Sequence, residues 1–214
     1  MNKTITVKGT GKLSLKPDLT VVTMALKTVN KSYDKAMQEE DKLFGALKAA
    51  LAGADIAEED LKTTNFNVWS EYEGRQDKNG IYRNVFKGYA VQNDLMLEFP
   101  FDTARLSRVL SLVAGCVADP SLNIRFTVKD RTAAEDALLK SAAENARRKA
   151  EVLTAASGAK LGELVSISYS WEELNLTSPT AYGAMKCMDS CVEERITPMD
   201  VNVEDTAVFV WELI

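Results

Sequence analysis

Between Asp60 and Phe99 the chain carries two strand-like runs, DLKTTNFNVWSEYE and NVFKGYAVQNDLMLEF, joined across a polar segment that ends in Asn79-Gly80. In the second run Tyr89, Val91, Leu95, Leu97 and Phe99 share one parity, while Gln92, Asp94 and Glu98 take the other, the two-residue period of a half-buried strand. Asn-Gly accepts positive φ more readily than any other pair of residues, so a β-hairpin is the expected connection. A chain built around so long a hairpin must contain an antiparallel sheet.

The flanking segments define what covers that sheet. Ile5 to Leu15 and Leu19 to Val29 alternate on either side of Pro17-Asp18 and read as two antiparallel strands. Behind Ser32 as N-cap, Tyr33, Ala36, Met37, Leu43, Phe44, Leu47, Ala50 and Leu51 recur at helical spacing up to Gly53. Asp102 opens a shorter helix whose stripe is Leu106, Val109, Leu110 and Val113, closed near Gly115. SLNIRFTVK returns as a strand. A long helix follows, with Thr132 and Glu135 at capping-box spacing, an inward face of Ala134, Leu138, Ala142, Ala146, Leu153 and Ala156, and Gly158 as its stop.

Leu164 to Trp171 and Asp200 to Ile214 read as the closing strands, and the stretch 172–199 between them as a long irregular loop. The order β-β-α-β-β-α-β-α-β-β predicts an α+β fold, antiparallel or mixed sheets with about three helices packed on them, in a single domain spanning 1–214.

Composition narrows the functional classes. The 214 residues are 46% hydrophobic and 27% charged, with a net charge of −5. That balance predicts a folded core and argues against a nucleic-acid partner, whose phosphates reward clustered cations. The one basic cluster, Arg147-Arg148-Lys149, sits in a helix beside Glu144 and Glu151 and reads as a solvated face. No apolar run reaches the roughly 20 residues that a membrane-spanning helix needs. An alternating strand begins almost directly after Met1 with no signal peptide visible, so a cytoplasmic location is expected; a periplasmic or exported form with its leader removed is the alternative.

The chain contains no histidine, which removes the commonest general base and the usual nucleophile pairs. No catalytic, cofactor-binding or metal-binding residue is predicted, and no cofactor. Gly9-x-Gly11 leads into Leu13 and Leu15 at strand spacing rather than into a helix, so it reads as a bulge or a close backbone approach and not as a phosphate loop. The acidic groups Glu39-Glu40-Asp41, Glu58-Glu59-Asp60 and Glu193-Glu194 read as solvated faces or turns. Cys187 and Cys191, four apart in the long loop, are candidate redox thiols or the start of a soft metal site, and Cys116 reads as a small buried hydrophobe. Trp69, Tyr72, Tyr82, Phe86 and Tyr89 gather around the hairpin, where core or subunit packing accounts for them.

Five segments in order carry a family resemblance. DLKTxxFxVxxxYE and KGYxxxNxLxxxF, with ITVxGxG before Pro17-Asp18, the alanine-rich helix running into Leu161-Gly162, and Thr197-Pro198 before VNVEDTAVFVWEL, resemble the SIMPL-domain, YggE-like group of bacterial proteins. The resemblance implies an α+β subunit that forms homo-oligomers and a link to oxidative-stress tolerance, and it supplies no catalytic residues. The function expected is therefore non-enzymatic self-assembly. The alternative is a small-ligand-binding or thiol-based redox or metal-sensing protein that uses the 172–199 loop.

Overall fold

In the computed structural model the described residues are 3–54, 56–76, 80, 82–170, 174–180 and 196–214. Seven strands and three α-helices follow in the expected order: β1 (Thr4–Leu15), β2 (Leu19–Asn30), α1 (Tyr33–Ala52), β3 (Leu61–Gln76), β4 (Tyr82–Pro100), α2 (Thr103–Ala114), β5 (Ser121–Thr127), α3 (Arg131–Ala156), β6 (Leu161–Ser168) and β7 (Val201–Leu213). The chain divides into two compact units, one of residues 1–18, 127–179 and 198–214, the other of residues 19–126 and 180–197.

The first unit is a three-stranded antiparallel sheet in the order β1-β7-β6 with α3 on one face. Its core sets Val7, Ala207, Phe209 and Trp211 against Ala146 and Ala150 of α3. The glycines of β1 explain how a helix can lie so near a strand. A Cβ on Gly9 would stand 2.1 Å from the carbonyl oxygen of Ala142, and one on Gly11 2.1 Å from that of Leu138. Gly9-x-Gly11 is thus the close backbone approach anticipated from its strand spacing.

The second unit is a four-stranded antiparallel sheet in the order β3-β4-β2-β5. Its core gathers Val22, Met24 and Leu26 of β2, Leu95, Leu97 and Phe99 of β4, Ile124 and Phe126 of β5, Leu47 and Leu51 of α1, and Leu106, Val109, Leu110 and Val113 of α2. Residues of one parity on β2 and β4 meet these helices; Thr23, Gln92 and Asp94 lie on the other parity, partly exposed, as a half-buried sheet requires.

Three expectations need correction. β1 and β2 alternate as read, but they do not pair with each other: β1 joins β7 and β2 joins β4, because partners distant in sequence complete each sheet. The cap of α3 is Asp130, whose carboxylate accepts from the Ala133 amide at 2.9 Å, and Thr132 lies inside the first turn. A carboxylate two residues upstream gives the same reach as a capping box while carrying charge to the helix N-terminus. Ser32 stands at the N-cap of α1 but makes no side-chain cap; Asn30 Oδ1 instead accepts from the Ser32 amide at 3.0 Å. Asp102 caps α2 as expected, accepting from Ala104 and Arg105 at 2.8 and 3.2 Å.

Candidate self-association surface

The long hairpin outgrows its sheet. β2 ends where Asn30 stands opposite Tyr89 on β4, and beyond that point β3 and β4 continue as a two-stranded ribbon from Tyr72↔Phe86 to Gln76↔Tyr82. The departure falls at Gly88. A Cβ there would lie 2.6 Å from the carbonyl oxygen of Asn30, so only glycine lets β4 pass the end of β2. Asn79, the first half of the expected turn, lies outside the described residues, and Gly80 takes φ +80°, the left-handed conformation anticipated for it.

A ladder of edge-to-face aromatic rings leads from the helix-covered sheet onto the ribbon. Tyr33 at the start of α1 meets Tyr89 at 5.8 Å between centroids, Tyr89 meets Phe86 at 5.3 Å, and Phe86 meets Tyr72 at 5.7 Å. Of the five aromatics singled out in the sequence, Tyr72, Phe86 and Tyr89 are therefore joined, and Tyr33 is a member that helical periodicity had assigned to the core. Tyr82 is carried to the far end of the ribbon. Phe86 is 40% exposed, Tyr72 58% and Tyr82 75%, so the ladder grows more open as it leaves the sheet.

Trp69 lies on the opposite parity and closes a different cluster. The Lys27 ammonium sits 5.2 Å from its ring centroid and 2.7 Å from Glu71 Oε2, while Lys87 Nζ lies 2.7 Å from Glu71 Oε1. Lys27 and then Lys87 hold the Glu71 carboxyl below its ordinary range, and Glu71 in turn holds the Lys87 ammonium above its own. Lys87 is the extra residue of the β-bulge at Glu71/Tyr72, so this cluster fixes the point where the ribbon leaves the sheet. Nothing in the sequence pattern marked it: its three charged members come from three strands.

Cys187, Cys191, Glu193 and Glu194 lie outside the described residues, and Cys116 is a free, half-buried thiol packed against the core of the second unit. Glu58–Asp60 make a short 3₁₀ turn that leads into β3, as their position implied. Glu40 departs from the solvated reading. It is 2% exposed, and Asn93 Nδ2 donates to its Oε1 at 2.7 Å, because the inward face of α1 passes over β4 at that residue. Among the described residues no group of three or more Cys, Asp or Glu side chains is placed to hold a metal ion.

A groove of about 550 Å³ beside β1 is lined by Thr10, Lys12, Ser141, Asn145, Lys149 and Glu204. Its polar groups serve the fold. Asn145 Oδ1 accepts from the Thr10 amide at 3.1 Å, Lys149 Nζ donates to the Lys8 carbonyl at 3.0 Å, and Lys12 pairs with Glu204 at 3.3 Å. The first two take up backbone groups of β1 with side chains of α3, which protects that edge in place of a further strand, and the third is a cross-strand pair between β1 and β7.

Two units of antiparallel sheet and helix, the second carrying a two-stranded aromatic ribbon, define an α+β fold. The chain belongs to the SIMPL family, described as a protein of unknown function (DUF541), whose model matches residues 5–211. It is 27% identical over 216 residues to the 26 kDa periplasmic immunogenic protein of Brucella melitensis biotype 1 and 26% identical to the protein of the same name in Brucella abortus (strain S19); each match covers 96% of this chain and 83% of the relative. Among solved structures, the regulatory subunit of aspartate kinase from Thermus flavus aligns over 97% of this chain and 89% of its own, at 8% identity and a TM-score of 0.19. No helix among the described residues is long and apolar enough to cross a membrane.

Proposed function

We propose that this protein works by self-association, as a non-enzymatic scaffold whose subunits meet through the hairpin ribbon, in the periplasm or an equivalent exported compartment. One observation supports this most directly: Tyr72, Tyr82, Val85 and Phe86 stand exposed on a ribbon of only two strands. A two-stranded ribbon is marginal by itself in water, and burying its aromatics against another surface supplies the missing stabilisation. The absence of histidine from the sequence agrees with a role that needs no general base. The compartment follows from the two relatives named periplasmic. A link to oxidative-stress tolerance follows from the family resemblance, and a deletion strain should then be more sensitive to peroxide than its parent.

Light scattering of the purified chain tests the central claim. A particle mass well above the 23.5 kDa of one chain is expected at micromolar concentration. A monodisperse monomer would overturn the reading.

A further inference from the structure

We infer that two copies pair antiparallel through the outer edges of β3, about a two-fold axis that passes at Trp69. This rests on the self-association reading and names its surface, its register and its partner, a second copy of the chain.

The edge strands among the described residues are not equivalent. β1 is closed by Asn145 and Lys149 of α3. β6 is irregular, with register shifts between Leu161 and Leu164 and again between Leu164 and Ser166 against β7, and such kinks spoil pairing with a further strand. β5 is short, at 7 residues, against the 16 of β3. β3 also keeps a straight outer edge over most of its length. Its own extra residue is Thr64, near the start, and the second irregularity of the β3–β4 ladder places its extra residue on β4. From Asn65 to Gln76 β3 is an exposed, unbulged edge.

Charge and aromatic pairing together choose the register. Antiparallel pairing about a two-fold axis always sets one residue opposite its own copy and residues of like parity opposite each other. An axis at Glu71 or Glu73 would oppose identical carboxylates, and an axis at Tyr72 would oppose Glu71 to Glu73; like charges in such positions repel. An axis at Ser70 sets Trp69 against Glu71. With the axis at Trp69 the oppositions are Phe66 to Tyr72, Val68 to Ser70, Asn67 to Glu71 and Asn65 to Glu73. Each carboxylate, already paired within its own chain to Lys27 and Lys87 or to Arg75, then faces a neutral amide instead of another carboxylate, and Phe66 and Tyr72 extend the aromatic ladder across the join. Within β3, axes at Val68 and Gly74 also avoid repulsion, the second setting Glu73 against Arg75, but the first sets Phe66 against Ser70 and Trp69 against Asn67, the second sets Tyr72 against Gln76, and each forfeits both aromatic pairs.

Disulfide trapping in the full-length chain tests the register. With Cys116, Cys187 and Cys191 replaced by Ser, Trp69→Cys should give a covalent homodimer on mild oxidation, because residues directly opposite in an antiparallel ladder lie about 4.5–5.5 Å apart at Cα, within disulfide reach. Phe66→Cys alone should give at least tenfold less. A mixture of Val68→Cys and Ser70→Cys chains, which keeps Trp69, should cross-link between the two variants and only weakly within either. A chain that light scattering shows to be assembled, yet that gives neither the Trp69→Cys homodimer nor the mixed dimer, overturns this register while the self-association reading stands. A monomer by light scattering overturns both.

Discussion

Asn93 on β4 donates a 2.7 Å hydrogen bond to the carboxylate of Glu40 on α1, inside the apolar core between helix and sheet of the second unit. Glu40 is among the largest fully buried side chains, and Asn93 Oδ1 finds no partner among the described residues. Each side chain is tolerable in that core only while the other is present, since a lone buried carboxylate carries a desolvation cost that nothing offsets.

A double-mutant comparison follows. Asn93→Leu should lower unfolding stability by about 3 kcal/mol, because it strands the Glu40 carboxylate. Glu40→Met combined with Asn93→Leu should return to within about 1 kcal/mol of the wild type, because both polar groups then leave the core together. Guanidinium unfolding measures both; a double variant no more stable than the single one contradicts the pairing.

The glycines of β1 give a second comparison. Gly9→Ala and Gly11→Ala each place a Cβ against a backbone carbonyl of α3, which no side-chain rotation can relieve, so each should destabilise the chain by about 3 kcal/mol. Gly45 in α1 has nothing within 4 Å of its Cβ position, and Gly45→Ala should stabilise by about 0.5–1 kcal/mol through helix propensity. Thermal melts of the three variants check the contrast, and similar behaviour at Gly9 and Gly45 would remove the close-approach explanation.

Much of this fold is legible in the sequence. Period-two runs gave the strands, period-3.6 stripes the helices, and the spacing of Gly9 and Gly11 a strand that something approaches closely, since each signal is local and repeats along the chain. Pairing partners were not legible: β1 could be read as alternating, but nothing local says that its neighbour begins at Val201. The burial of Glu40 was hidden for a related reason. Its neighbours Glu39 and Asp41 are exposed, and a three-residue acidic run looks uniformly solvated until the helix is rotated onto a sheet that offers Asn93. The Lys27–Glu71–Lys87 cluster escaped because it joins β2, β3 and β4 across long separations.

That cluster sets a pH dependence. The Glu71 carboxyl is held below its ordinary value of 4.5 in the folded chain, so its pairing contributes stability that is fully present above that value and lost as pH falls through the lower folded one. Lys87 mirrors it at the alkaline end: held above 10.5, it contributes stability below that pH and loses it as pH rises through the raised value. Between neutral pH and about pH 3 the melting temperature of the wild type should approach that of Glu71→Gln, whose amide does not titrate there. A gap between the two that stays constant over this range would show that the pairing adds nothing to stability.

The ribbon itself makes the last prediction. Strands β2 and β4 pair beneath two helices, whereas Tyr72–Gln76 and Tyr82–Phe86 pair only with each other and have no third strand and no helix over them among the described residues. Local opening there should therefore require little free energy in the isolated chain. Hydrogen exchange should find these amides weakly protected in dilute solution, with protection rising at least tenfold as concentration carries the chain into its assembled form, while amides of Val22 to Leu26 stay slow throughout. Tyr72→Ser combined with Phe86→Ser should abolish the concentration dependence and leave the Val22 to Leu26 amides unchanged, since both side chains lie on the exposed ladder and outside the core of the second unit. Protection of the ribbon that is already complete in the dilute monomer would mean that it stands without a partner, and would remove the physical reason for assembly through it.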